Sequence, residues 1–146
     1  MINDLNKADK TWQNREEVPG ITIDEKRSKD LDDAIWVEKI EDKWKIIISI
    51  ANVGLFVKRN SSLDTYAFNR AFTQYHFKYI DTMLPEDIST YKASLLEKEE
   101  RPVIAITITL SDDFEIEETS IARKKLISKE KMNYFQVDYI LKSKKT

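Results

Sequence analysis

Three runs dominated by β-branched residues, at 34–40, 44–51 and 103–110, set the first limit on what this chain can fold into. Each is of strand length, and Ile, Val and Thr at this density suit a pleated, half-buried surface better than a helix. Glu41-Asp42 separates the first two runs, so they read as a β-hairpin. The third opens at Pro102 and leads through Ser111-Asp112-Asp113 into residues 114–121, a second hairpin. Ile21-Thr22-Ile23 is a shorter strand-like run that delivers the chain to Asp24.

Helical spacing fills the intervals. Leu63, Ala67, Phe68, Ala71 and Phe72 predict a helix over 61–74, with Ser61 or Ser62 as its N-cap. Pro85, in the loop Met83-Leu84-Pro85-Glu86, introduces a short helix to about Thr90. Residues 128–141 predict a terminal helix with Met132, Phe135, Val137 and Ile140 on its apolar side. Residues 1–20 are polar and end in the turn signal Val18-Pro19-Gly20, so they read as a lead segment with a short helix around 11–17. The expected architecture is α+β: a mixed or antiparallel sheet built from hairpins, with helices packed against it, in one domain over 21–146.

With 146 residues and 41% hydrophobic residues, the chain can bury a substantial core, and disorder is excluded. Cysteine is absent and His76 is the single histidine, which removes disulfides, thiolate metal sites and imidazole-built zinc sites. No window approaches the roughly 18 apolar residues of a membrane span, and no signal-peptide pattern opens the chain. The expectation is a cytoplasmic protein with no membrane partner. The net charge of −2 decides nothing by itself. From Arg123 onward, basic residues outnumber Glu130 and Asp138 by eight to two, a distribution that suits either phosphate attraction or a solvated Lys-rich end.

Chemistry concentrates at 24–33, where Asp24, Asp30, Asp32 and Asp33 fall within ten positions between two strand-like runs. Massed carboxylates repel, so bringing them together costs free energy unless a cation joins them. Magnesium suits such a site, since it takes hard oxygen ligands and usually only one or two carboxylates, keeping water and phosphate elsewhere. Asp-rich loops also serve as turns, caps and solvated surface. An EF-hand fits poorly, because no glycine follows Asp30 at the required place and Ala34 occupies a ligand position; a single calcium site is the other cation reading.

Thr22-Ile23-Asp24 followed by Asp30-Leu31-Asp32-Asp33-Ala34 resembles the signature of the ribonuclease II (RNB) family of exoribonucleases. The likeness continues in order through Ile50-Ala51-Asn52-Val53, Ser62-Leu63-Asp64, Arg70-Ala71-Phe72-Thr73-Gln74-Tyr75, Met83-Leu84-Pro85-Glu86 with Ser89, Ala93-Ser94-Leu95 and Arg101-Pro102-Val103. It covers the N-terminal half of that family's catalytic domain. The resemblance implies hydrolytic 3′-to-5′ degradation of single-stranded RNA to nucleoside 5′-monophosphates, with magnesium or alternatively manganese. It makes Asp24, Asp30, Asp32 and Asp33 the metal-site residues, with Asp32 and Asp33 closest to catalysis. Tyr75 falls where the family sets an aromatic against RNA bases; the plain alternative is an amphipathic helix-end residue. Arg70 and Arg101 are candidate phosphate contacts, with salt bridges to nearby acidic residues as the alternative.

Two departures fall near these residues: Asn52 where most relatives carry Asp, and Ser49 where most carry His. The family's second half, with its Arg-rich motif and second base-clamping aromatic, has no counterpart here, nor do its flanking RNA-binding barrels. A half-domain is therefore expected to need further chain or a partner, and to expose apolar surface that favours self-association. A non-catalytic RNA-binding or regulatory role is the second reading.

Overall fold

The structure, a computed structural model, describes residues 10–143. Residues 1–9 of the expected lead segment lie outside the described residues. After a 3₁₀ turn at Lys10–Asn14 come β1 (Glu17–Asp24), β2 (Asp33–Ile40) and β3 (Lys43–Ala51). Helix α1 (Ser62–Arg70) and two short strands, β4 (Gln74–Tyr75) and β5 (Ile80–Asp81), follow. A π-helical turn at Ile88–Lys92 leads to β6 (Glu100–Ser111), β7 (Ile116–Asn133) and α2 (Tyr134–Ser143).

Both expected hairpins are present, but the sheet does not stay open: β1-β2-β3-β6-β7 close into a barrel. Closure comes from β7, which runs 18 residues and pairs in parallel with β1 from Glu17↔Lys125 to Asp24↔Asn133. Three further expectations are corrected here. Residues 128–133, read as the start of a helix, are strand, and the helix begins only at Tyr134. Val18-Pro19-Gly20, read as a turn, lies inside β1, and the helix expected around 11–17 is confined to the 3₁₀ turn. Pro19 is tolerated because β2 meets β1 only at Ile21↔Ile35, leaving β1 a single neighbour over 17–20.

The barrel is narrow and its interior is built from small residues. Ala34, Ala51 and Ala105 share the core with Val18, Ile47, Val103 and Leu126. Gly20 belongs to the same fit, since a Cβ there would stand 2.7 Å from Leu126 Cδ1 and 3.1 Å from Ala34 Cβ. Leu31 and Leu95 join this core from the connecting loops. A second cluster of Ala67, Leu84, Ile88 and Ala93 lies beneath α1, and Val53 packs against both.

Helix α1 is shorter than the expected 61–74. Ser61 caps it by accepting a hydrogen bond from the Asp64 N–H at 3.1 Å, and Ala71, at φ 65°, breaks it after Arg70. That break frees Thr73, Gln74 and Tyr75 to enter the β4–β5 hairpin. On the barrel exterior, Ile35, Ile48, Ile106 and Ile121 stand in one register row across four strands, and Val37, Ile46 and Ile108 form the next. Ile121 is 70% exposed and Val37 48%, so this apolar face is uncovered in the single chain.

Candidate active site

The acidic loop, residues 25–32, joins β1 to β2 and is held along its length. The Leu31 N–H donates to Ser94 Oγ at 3.1 Å, and Ser94 Oγ donates to the Lys29 carbonyl at 2.7 Å. Leu95 N–H donates to the Leu31 carbonyl and Ala51 N–H to the Asp32 carbonyl, each at 2.9 Å. Lys131 Nζ donates to the carbonyls of Ser28 and Lys26 from β7. Leu31 turns into the core at 1% exposure. In extended backbone the residues on either side then face the opposite way. Asp30 and Asp32 accordingly both line a groove of about 350 Å³.

That groove is otherwise walled by Ile50, Val53, Met83 and Leu84, with Tyr75 at its side. Its volume falls in the range of small-molecule sites. Tyr75 donates its hydroxyl proton to Asp30 Oδ2 at 2.8 Å. Its hairpin is tied back to α1 by Arg70, which lies over the Tyr66 ring of its own helix and pairs with Asp81, and the base of the hairpin is closed by Met83 N–H donating to Thr73 Oγ1 at 3.1 Å.

The four aspartates come within each other's electrostatic reach. Burial raises the Asp24 carboxyl above its ordinary range, and repulsion from Asp33 and Asp30 adds to this while Lys131 opposes it. Asp32 is raised by desolvation first and then by Asp30, Asp33 and Asp24. Asp24 Oδ2 is buried with no hydrogen-bond partner. Among the described residues, no three acidic or imidazole side chains close into a ready-made cation cage. A cation that keeps most of its water needs only one or two carboxylates, so Asp24 Oδ2 and the Asp30–Asp32–Asp33 group are the oxygens that could hold one.

The two arginines lie elsewhere. Arg70 does not line the groove; it holds the β4–β5 hairpin through Asp81. Arg101 is 8% exposed, with Nε donating to the Ser94 carbonyl at 2.9 Å, and its terminal nitrogens donating to the carbonyls of Glu100 at 2.8 Å and Tyr91 at 3.1 Å. It also pairs with the Glu99 carboxylate at 3.5 Å, the salt-bridge alternative, and these contacts together make it an anchor of the 91–101 segment. Tyr75 is not a helix-end residue but part of β4. Of the two departures, Ser49 is buried in β3 with its hydroxyl unpartnered, and the Asn52 N–H donates to the Pro102 carbonyl. Sequence reasoning missed Ser94 and Lys131 as supports of the acidic loop. Their partners lie 63 to 65 and 103 to 105 positions away, and no local signal marks such pairings.

Fold and site together define a class: a small closed barrel carrying crowded carboxylates beside an aromatic-edged groove. Within that class the chain belongs to the RNB domain family, whose profile matches residues 13–146. It is 35% identical over 126 residues to exoribonuclease 2 of Psychromonas ingrahamii, covering 86% of this chain and 19% of that protein. The chain thus spans about a fifth of that relative's length. Among solved structures, it superposes on Mycoplasma genitalium RNase R in complex with double-stranded RNA with a TM-score of 0.84 at 30% identity, covering 99% of this chain and 25% of that one. It also superposes on yeast Ssd1, a pseudonuclease, with a TM-score of 0.81, covering 90% of this chain and 17% of that one; at 16% identity this likeness is one of fold alone. Among the described residues, no helix is long and apolar enough to cross a membrane.

Proposed function

We propose that this chain carries the carboxylate half of an exoribonuclease site that hydrolyses single-stranded RNA from the 3′ end and releases nucleoside 5′-monophosphates. The observation that carries this reading is that Asp30 and Asp32 line a groove edged by Tyr75, with Asp24 and Asp33 close enough to act on them electrostatically. A cation seated among these carboxylates relieves their repulsion. Magnesium, or manganese in its place, would be held by these carboxylates and would supply activation of water and stabilisation of the leaving oxygen. Asp32 and Asp33 are the residues assigned nearest the scissile phosphate, and Asp24 and Asp30 complete the acidic wall. The Tyr75 ring offers a stacking face for a base, a contact that tolerates any sequence. Arg70 shapes the hairpin bearing that ring, and Arg101 shapes the segment behind the acidic loop. The place of action is the cytoplasm.

Among the described residues no cationic side chain lines the groove, so turnover would draw on a further group to stabilise the phosphate. Further chain or a partner would supply it, and the uncovered isoleucine face offers a place for either a partner or a second copy. Incubation with labelled single-stranded RNA and magnesium tests the proposal: mononucleotide release that Asp32→Asn abolishes supports it. The second reading is a non-catalytic RNA-binding or regulatory protein, favoured by a groove that no described Lys or Arg lines; binding with no shortening of the RNA supports that instead.

A further inference from the structure

The Asp30–Asp32 segment owes its shape to a side chain outside the acidic cluster. Ser94 is fully buried, and its hydroxyl makes two bonds to the loop, accepting from Leu31 N–H and donating to the Lys29 carbonyl. These bonds bracket the peptide of Asp30. One residue on, the Leu95 N–H holds the Leu31 carbonyl at 2.9 Å. Ser94 is itself fixed, because the buried Arg101 guanidinium holds its carbonyl at 2.9 Å while also gripping Tyr91 and Glu100. A chain of bonds thus runs from Arg101 through Ser94 to the backbone between Asp30 and Asp32.

We propose that Ser94 is a positioning residue that sets the spacing of Asp30 and Asp32 for a divalent cation, with Arg101 holding Ser94 in place. The inference rests on the cation reading of the acidic loop. Two carboxylates that flank a buried leucine reach one ion only if the intervening peptide is held, since like charges otherwise drive the side chains apart. Serine suits the position because a single hydroxyl both donates and accepts. Removing it leaves the buried Leu31 N–H without an acceptor and releases the Lys29 carbonyl.

The test is manganese binding by the full chain, followed by electron paramagnetic resonance of the free ion, together with hydrogen exchange of the Leu31 amide. Ser94→Ala should weaken manganese affinity about tenfold or more, the usual scale for losing a group that orients a metal ligand. It should also speed exchange at Leu31, and Ser94→Thr should recover affinity in part. Val103→Ala, which thins the same barrel core from β6, controls for general destabilisation and should leave affinity within about twofold while lowering Tm. Wild-type affinity retained by Ser94→Ala, or an equal loss in Val103→Ala, overturns the positioning role. A wild-type chain that binds no manganese overturns the cation reading itself, and the positioning role with it.

Discussion

Tyr75 donates its hydroxyl proton to Asp30 Oδ2 at 2.8 Å, joining residues 45 positions apart. The aromatic edge of the groove and the acidic loop are therefore one assembly. This bond, with burial and the field of Asp30, Asp32 and Asp24 behind it, pushes the phenol up to about 12. Asp30→Asn should bring the Tyr75 titration back toward 10.0, read as phenolate absorbance against a Tyr75→Phe blank. The ring's own contribution is separable. Tyr75→Phe keeps the stacking face and should hold RNA affinity nearly constant in fluorescence anisotropy. Tyr75→Ala should weaken it by about 5- to 150-fold, the equivalent of about 1–3 kcal/mol for one stacked base.

Crowding of the aspartates makes a signed prediction for stability. Asp24 and Asp32 have folded-state pKa values above their ordinary ones, so the folded protein holds these protons more tightly than the unfolded chain. Their contribution is fully favourable below the ordinary carboxylate range and is lost as pH rises through the raised values. At neutral pH the metal-free site works against the fold. Asp32→Asn should therefore raise Tm by a few degrees at pH 7, and the gain should vanish as pH falls below about 4. Comparing mutant with wild type at each pH removes the contribution of exposed pairs such as Lys124–Glu16, which run the other way. A gain that grows on acidification would contradict the site's electrostatics.

Legibility of the sequence varied with the range of the interaction. The hairpins were readable because β2 and β3 are β-branched runs that meet across a two-residue turn. The acidic cluster was readable because its four members sit within ten positions. Closure of the barrel was not, because β1 and β7 pair across more than 100 residues. The inward positions of β7 include Ser128, fully buried, which breaks the apolar alternation that marks a strand. Met132, Phe135 and Ile140 then imitate a helical stripe that begins too early. For Arg101 the sequence left a phosphate contact and a salt bridge open, and only the fold shows its bonds to the Glu99 carboxylate and to the carbonyls of Tyr91, Ser94 and Glu100.

Gly20 tests the barrel's narrowness. Any side chain there meets Leu126, which is fully buried and flanked by the small residues that let the strands close. Gly20→Ala should cost about 1–3 kcal/mol, the usual range for overpacking a core, and Gly20→Val more. Urea unfolding monitored by tryptophan fluorescence measures it. Equal stability in Gly20→Ala would mean that Leu126 has space to turn away.

The isoleucine row on the barrel exterior sets the last expectation. Ile35, Ile48, Ile106 and Ile121 align across four neighbouring strands, and Val37, Ile46 and Ile108 extend the patch. Monomeric proteins rarely leave a continuous β-branched face of this kind open to water, because each exposed residue forgoes the gain of burial. The isolated chain should therefore self-associate with rising concentration in sedimentation velocity. Ile121, at 70% exposure, contributes little to the fold, so Ile121→Lys should leave Tm within about a degree or two and shift the population toward monomer. Ile47→Lys is the opposite case: Ile47 points inward at 2% exposure, and a buried unpaired ammonium there should unfold the barrel. If Ile121→Lys sediments as wild type does, the association surface lies elsewhere. The exposed aromatics of the β4–β5 hairpin, Tyr75 and Phe77, would then be the next face to alter, at the expense of the groove itself.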